Sequence, residues 1–178
     1  MTKARDLADL GPNTGLVHIN TTSFSAVASQ SINDVFSSSF KNYRVFLTVY
    51  GTSETSMEFR LRASGSDNTS TNYNRQRLRG FGTSVTAARN TNSNTWELGG
   101  ISNSSNYRSC KDIIFFSPYQ SINTMAICSS ISYFGGANGI EVRNHTAVHK
   151  VNSSYDGFTF FPGTGNITGE VIIFGIKE

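Results

Sequence analysis

The strongest hydrophobic pattern in this 178-residue chain is a nearly unbroken apolar run close to its C-terminal end. The run consists of Val171, Ile172, Ile173, Phe174 and Ile176, and Gly169 precedes it. It is short for a helix and rich in β-branched and aromatic residues, which predicts a strand buried on both faces. We expect this strand to lie centrally or at a subunit interface, with one face on the core and the other against a second sheet or a sister subunit.

Regular alternation of apolar and polar residues predicts two further strands, over residues 43–50 and 57–63, with a polar hairpin loop between them. The positions expected to face inward are Tyr43, Val45, Leu47, Val49, Met57, Phe59, Leu61 and Ala63. Weaker strand patterns cover residues 16–20, 24–32, 73–78, 81–88, 95–98, 113–116, 124–133, 140–149 and 158–161.

About ten strands separated by polar turns are typical of a sandwich or barrel and not of a βαβ fold. We therefore predict an all-β domain over residues 16–178, folded as an antiparallel jelly-roll-like β-sandwich. The length of the chain fits a single domain with a substantial core.

Residues 1–10 carry the only good helical pattern, and residues 11–15 (Gly-Pro-Asn-Thr-Gly) end it. Because ten residues are too few for a stable isolated helix, this segment must dock on something. We predict that residues 1–15 form a short N-terminal anchor, helical or extended. The residues expected to contact a partner are Ala4, Arg5, Leu7 and Leu10.

The composition is poor in both charge and apolar residues. Charged residues make up 15% and hydrophobic residues 37% of the chain, whereas globular proteins average about 25% and 45–50%. Ser, Thr and Asn take their place, a pattern typical of extracellular or virion proteins with many strands and polar turns. The 13 Phe and 7 Tyr are spread along the chain and argue against disorder.

The formal net charge is only +3, and there is no block of Lys and Arg such as a nucleic-acid-binding arm carries. Apolar runs also stay well short of the ~18–20 residues of a membrane span. The N-terminus lacks the apolar core of a secretory signal. We therefore expect neither nucleic acid nor a membrane as a partner.

Three arginines alternate in the segment 73–79. Arg75, Arg77 and Arg79 would project from one face of a strand. Guanidinium groups in such a row suit an anionic partner such as a polysaccharide, a lipopolysaccharide phosphate or an acidic neighbouring subunit. The alternative is a solvated sheet face or an edge strand protected by charge.

Aromatic residues next to polar loops are a second candidate contact. Tyr73, Trp96 and Tyr107 lie among Asn and Ser, and proteins commonly hold sugars by ring stacking and amide hydrogen bonds. These rings could equally cap the ends of the core, and the sequence leaves both interpretations open.

No residue pattern predicts catalysis, a metal site or a cofactor. His145 and His149 are four apart in a predicted strand, so they share a face but lie roughly 13 Å apart, too far for one ion. There is no nucleophile elbow and no obvious pair of carboxylates. Cys110 and Cys128 are expected to be buried free thiols, with a disulfide as the alternative.

Several segments together resemble structural proteins of tailed-bacteriophage virions. Residues 3–8 (Lys-Ala-Arg-Asp-Leu-Ala) resemble the openings of tail-fibre and other virion proteins, including those of cyanophages. Residues 31–36, 40–46, 59–65, Tyr73 and 169–177 are similar to a β module common among such proteins. The resemblance implies assembly, commonly as trimers, and no enzymatic activity.

Two functions follow from this resemblance as expectations. The first is a trimeric fibre or appendage protein of the virion, which docks on other virion proteins by its N-terminus and contacts host polysaccharide with its outer loops. The second is a capsid decoration or cement protein that stabilises the head. A carbohydrate-active enzyme is a third and weaker alternative, which would need paired acidic side chains in a groove.

Overall fold

The structure, a computed structural model, describes residues 15–134 and 139–177. The predicted anchor residues Ala4, Arg5, Leu7 and Leu10 lie outside the described residues. Those that are described form thirteen β-strands and no helix. In chain order the strands are β1 (Gly15–Val27), β2 (Gln30–Ile32), β3 (Asn42–Gly51), β4 (Thr55–Ala63), β5 (Ser66–Asp67), β6 (Tyr73–Phe81), β7 (Ser84–Ser93), β8 (Trp96–Ile101), β9 (Ser109–Phe116), β10 (Thr124–Phe134), β11 (Gly139–His149), β12 (Gly157–Pro162) and β13 (Ile167–Lys177).

The strands form two antiparallel sheets in a sandwich-like arrangement, which confirms the predicted all-β class. The large sheet has the order β1-β13-β3-β9-β10-β11-β6-β7. The small sheet has the order β2-β12-β4, and β5 and β8 both pair with β4. All strand pairs in both sheets are antiparallel.

The large sheet has two halves, which we name by their surroundings. The sandwich half consists of β1, β13, β3 and β9, and it packs against the small sheet. The extension consists of β10, β11, β6 and β7 and continues the large sheet beyond it. Strand β8, at the edge of the small sheet, packs across β10, β11 and β6 and so covers part of the extension.

Aromatic side chains fill the core between the two sheets. Phe158 of β12 lies 5.4 Å from Phe115 of β9 and 5.7 Å from Phe36, measured between ring centroids. The alternation predicted for β3 and β4 is confirmed, since Tyr43, Val45, Leu47, Val49, Met57, Phe59 and Leu61 are all buried. Ala63 is only partly buried and packs at the margin of this core.

The C-terminal run forms β13, an internal strand between β1 and β3. Its inner face is fully buried, with Val171 and Ile173 at 0% exposure. Ile172 and Phe174 on the other face are only half-buried. Within residues 15–134 and 139–177 no second sheet covers this outer face, so of the two predicted neighbours only a sister subunit is left to bury it.

Candidate functional site

The extension reverses the usual distribution of polarity across a sheet. Successive residues of a strand point to opposite faces, and in β11 the charged residues Glu141 and Arg143 point inward. Ser130 is paired with Arg143 on the inner face, while the next pair, Ile131 and Val142, lies on the outer face. Charge is therefore buried in the extension and apolar surface is exposed.

Seven exposed hydrophobic residues form what we call the outer apolar face. Its members lie on four adjacent strands, and their exposed fractions run from 42% for Ile127 to 80% for Val85. They are Leu78, Val85, Met125, Ile127, Ile131, Ile140 and Val142. Isolated exposed hydrophobic residues are ordinary, but a contiguous set on one sheet face marks an interaction surface.

The outer apolar face is almost free of charge. Between the hydrophobic residues lie uncharged side chains, namely Gln76, Ser129, Asn144 and Thr146. Arg89, opposite Gln76, is the one charged residue at the described outward positions of these strands. Such depletion of charge is characteristic of the core of a protein–protein interface.

On the inner side, four arginines and two glutamates form what we call the ionic layer. Glu97 of β8 accepts hydrogen bonds from Arg75, from Arg77 at 2.9 Å and from Arg143 at 2.6 Å. Glu141 of β11 accepts hydrogen bonds from Arg79 and, at 3.1 Å, from Arg143. The side chains of Arg75, Arg143, Glu97 and Glu141 are each at most 12% exposed, so this layer is part of the interior.

Two further basic residues lie beside the ionic layer and form no salt bridge with any described carboxylate. Lys111 of β9 is 2% exposed, and its Nζ donates to the carbonyl oxygen of Gly100 at 2.7 Å. Burial lowers its pKa to about 8. His145 is also 2% exposed, and neither ring nitrogen has a hydrogen-bond partner among the described residues. Burial, together with the charges of Arg75, Arg143, Arg77 and Lys111, lowers its pKa to about 3.

Two glycines let β8 approach the extension closely enough to bring Glu97 over the arginines. A Cβ atom on Gly99 would lie 2.8 Å from the Cβ of Ser130, and one on Gly100 would lie 2.8 Å from Oε1 of Glu141. Gly99 also has a φ of +110°, which favours glycine. Any larger residue at either position would push β8 away from the ionic layer.

The structure places the predicted arginine row on one strand face, as expected, but that face points inward. Arg75, Arg77 and Arg79 pair with Glu97 and Glu141 and do not form a solvated surface. The sequence identified neither their partners Glu97 and Glu141 nor the basic residues Arg143 and Lys111 that lie beside them. A faint signal existed, because Glu141 and Arg143 alternate with Ile140 and Val142, but that pattern alone does not say which set faces the core.

The three predicted aromatic contacts separate in the structure. Tyr73 and Trp96 are completely buried, so neither ring offers a face to a ligand, and both cap the core. The hydroxyl of Tyr73 donates to the carbonyl oxygen of Asn68 at 2.8 Å, and Nε1 of Trp96 donates to that of Val148 at 3.3 Å. Tyr107 alone is accessible, at 48% exposure, and its ring lies 4.5 Å from that of Tyr133.

The cysteine and histidine residues are the candidates for a disulfide or a metal site. Cys128 is a buried free thiol, whereas Cys110 is a free thiol on the exposed face, contrary to the expectation that both are buried. His145 and His149 share the inner face of β11. Within residues 15–134 and 139–177 there is no group of three His, Cys, Asp or Glu side chains placed to hold a metal ion.

Comparisons with known proteins gave no match, whether against models of protein families, curated proteins or solved structures. In the described part of the chain, no helix is long and apolar enough to cross a membrane. The function must therefore be argued from the outer apolar face, the ionic layer and the sequence itself.

Proposed function

We propose that this chain is a non-enzymatic structural protein of a tailed-bacteriophage virion, which assembles as a homotrimer through the outer apolar face. The main support for assembly is the outer apolar face. It has seven exposed hydrophobic residues on four adjacent strands, with one charge among the described outward positions. Water-exposed apolar surface of this extent is stabilised by burial against a partner.

The size of this face supports the proposal. Four strands spaced about 4.8 Å apart, with ten residues rising about 3.4 Å each, cover roughly 20 by 30 Å. Because side chains project from the sheet, the accessible area is larger than this flat area and comes close to the ~800 Å² that each partner contributes to a standard interface. On the same side of the sheet, the half-exposed Ile172 and Phe174 of the sandwich half form a separate apolar patch, because the partly exposed ion pair of Arg44 and Asp112 lies between them and the outer apolar face.

We also propose that the sandwich belongs to the jelly-roll type. Eight strands form two four-stranded arrangements, β1-β13-β3-β9 and β2-β12-β4-β8. This is the order in which two successive Greek keys place eight strands of a double sheet. The strands β6, β7, β10 and β11 are then two hairpin insertions, added to one sheet of an otherwise ordinary jelly roll.

The assignment to a phage virion rests on the resemblance of residues 3–8 and of the β segments to virion proteins, and on the charge-poor, hydroxyl-rich composition. In the favoured version the protein is a trimeric fibre or appendage that docks on other virion proteins through residues 1–15 and contacts host polysaccharide. The alternative is a capsid decoration protein, and copy number per particle separates the two. A few trimers indicate a fibre, and hundreds of copies indicate decoration.

The arrangement of the carboxylates favours a structural role over glycoside hydrolysis. Glu97 and Glu141, the acidic residues of the ionic layer, are each held by two or more arginine contacts. A general acid needs a raised pKa and a free approach to substrate. The oxygens of Glu97 and Glu141 are instead occupied by guanidinium groups.

Assembly is tested by measuring the mass of the purified protein by light scattering at micromolar concentration, where we expect a trimer. I131D and V142D place a carboxylate at the centre of the outer apolar face and should yield monomers that remain folded. I122D is the matched control, because Ile122 is 49% exposed but lies in the β9–β10 loop. A monomeric wild-type protein, or trimers that persist in both variants, would contradict the proposal.

The virion assignment has a separate test. Deleting residues 1–12 should leave a folded β domain that no longer joins the particle, since the predicted contacts of the anchor are lost. Normal incorporation of the truncated protein would remove the role proposed for the anchor.

A further inference from the structure

The ionic layer opens to solvent at one end through a small cavity, which we call the mouth cavity. Its volume is about 200 Å³, and its walls are Glu54, Thr55, Arg79, Phe134 and Arg143. The cavity lies on the inner side of the extension, where β6 and β11 pass the start of β4. It is therefore on the opposite side of the sheet from the outer apolar face.

Two guanidinium groups of different mobility line the mouth cavity. Arg143 is held rigidly, because its side chain is 10% exposed and donates to both Glu97 and Glu141. Arg79 is 30% exposed and uses Nε to bind Glu141. Its guanidinium group lies over the ring of Phe81, 4.4 Å from the ring centroid, and its two terminal nitrogens have no hydrogen bond to any described residue.

The charge behind the cavity is positive. Arg75, Arg77, Arg79, Arg143 and Lys111 outnumber the carboxylates of Glu97 and Glu141 that pair within the layer. Even when Glu54 and Glu58 are counted, the basic side chains exceed the acidic ones by one. Low-dielectric walls focus such a field on the opening, so a negative group is attracted there.

Several buried nitrogen atoms of the layer have no hydrogen-bond partner among the described residues. The Nε and Nη1 atoms of Arg75 and the Nε atom of Arg77 donate to no described residue, although both side chains are largely buried. His145, at 2% exposure, lies among the same arginines with both nitrogens unpaired within the described ranges. Unpaired buried donors are costly, and an anion near them is stabilised.

From this geometry we propose that the mouth cavity binds a small organic carboxylate. The planar fork of Arg79 matches the two oxygens of a carboxylate, with Arg143 behind it. The hydroxyl of Thr55 and the carboxylate of the exposed Glu54 offer hydrogen bonds to a hydroxylated ligand, and the ring of Phe134 offers an apolar wall. The volume is below the roughly 300–1,000 Å³ of sites for drug-sized ligands, which limits the ligand to about one sugar ring in size.

This inference does not depend on the proposed assembly or on the virion assignment, since the cavity is formed by one chain. The carboxylate could belong to a free anion or to an acidic sugar, and the test distinguishes the two. A free anion such as acetate uses only the arginines, whereas the carboxylate of an acidic sugar also uses Thr55 and Glu54.

Binding is measured on the full-length protein by NMR or calorimetric titration with acetate, glucuronate and neutral glucose, at low and matched ionic strength. We expect saturable binding of the carboxylates in the millimolar range and none of glucose. R79Q should weaken the binding at least about tenfold, the effect of one lost charge-assisted hydrogen bond. R89Q, the same change on the neighbouring strand but on the opposite face, is the matched control.

Tighter binding of glucuronate than of acetate assigns the site to an acidic sugar, and equal binding assigns it to a free anion. The proposal is overturned if neither carboxylate binds saturably, or if R89Q weakens binding as much as R79Q. The melting temperature of each variant checks that R79Q is folded. If R79Q does not fold, T55V serves as the second variant, because it replaces the Thr55 hydroxyl by a methyl group. T55V should lower the preference for glucuronate over acetate. An unchanged preference would count against an acidic sugar.

Discussion

The two halves of the large sheet are built from similar alternating strands but use their faces in opposite ways. In the sandwich half, the inner face is apolar and packs on the aromatic residues of the small sheet, including Phe158 and Phe160. In the extension, the inner face carries the ionic layer and the outer face carries Ile131, Val142 and their neighbours. Alternation therefore reports that a strand exists, and its surroundings decide which face is buried.

The difference has an energetic meaning. The sandwich half obtains its stability from apolar burial, which is non-directional and tolerates small shifts. The ionic layer depends on the position of Glu97 among three arginines, and buried ion pairs add little net stability but penalise wrong arrangements. The extension thus has a defined geometry but a modest core of its own, which leaves its apolar residues available to a partner.

The largest effect is expected in the sandwich half. F158A removes a ring that contacts Phe36, Phe59, Phe115 and Phe160, and a Phe-to-Ala change in a packed core costs about 4 kcal/mol. Urea unfolding followed by fluorescence measures the loss. A decrease below about 1 kcal/mol would show that this half is not the main core.

The next effect is expected in the ionic layer. E97Q leaves Arg75, Arg77 and Arg143 without their shared carboxylate, and removal of one member of a buried pair costs about 3 kcal/mol. The same unfolding experiment applies, with E170Q as control, because Glu170 accepts only a hydrogen bond from Ser23 at an exposed site. If E97Q and E170Q are equally stable, the ionic layer is not an interior structure.

Acid should destabilise the extension through His145. Its pKa is lowered to about 3 by burial and by Arg75, Arg143, Arg77 and Lys111, whereas an unfolded histidine titrates near 6.5. Because the unfolded chain binds the proton more readily, this stability is complete above pH 6.5 and is lost as the pH falls from there toward 3. At pH 5 the expected loss is about 2 kcal/mol.

H145Q should remove that part of the pH dependence. Between pH 7.5 and pH 5, the unfolding free energy of H145Q should fall by roughly 2 kcal/mol less than that of the wild type. H18Q, which removes an exposed histidine on β1, is the control. An equal change in both variants would argue against a special environment of His145.

The smallest effect on folding is expected on the outer apolar face. I127T should change the unfolding free energy of the monomer by less than about 0.5 kcal/mol, as for other surface positions. Its effect on the assembled protein should grow with protein concentration, because assembly stabilises by mass action. A loss above about 1.5 kcal/mol that is independent of concentration would place Ile127 in a folding core and would remove the contrast between the two halves.

Much of the fold could be predicted from residues that repeat with period two. The alternation in β3 and β4 placed Tyr43, Val45 and Leu47 correctly in the core, because one polar and one apolar face admit a single orientation there. In β10 the same kind of alternation has the opposite outcome, and Met125, Ile127 and Ile131 are the outward residues. Small inward residues such as Ala126, Cys128 and Ser130 fit under the closely packed β8. The local sequence of β10 does not indicate that β8 packs there.

Only the arginine row of the candidate site could be identified from the sequence. Arg75, Arg77 and Arg79 drew attention by their spacing, and they do share a face. Their partners Glu97 and Glu141 lie 22 and 62 residues further along the chain from Arg75 and Arg79 respectively, so no local spacing connects them. Tyr73 and Trp96 looked like candidates for a ligand contact and proved to be core residues, because an aromatic ring near polar loops has the same local sequence in both cases.

The sequence by itself determined the all-β class, the approximate positions of most strands and the faces of those with one clear apolar side, since these depend on backbone geometry and on the period of the side chains. Only the tertiary structure decided that the C-terminal strand has one uncovered face, that β8 crosses the extension, and that charge lies inside it. These features depend on which distant strands meet, and long-range pairing is governed by the packing of the whole chain and not by any single segment.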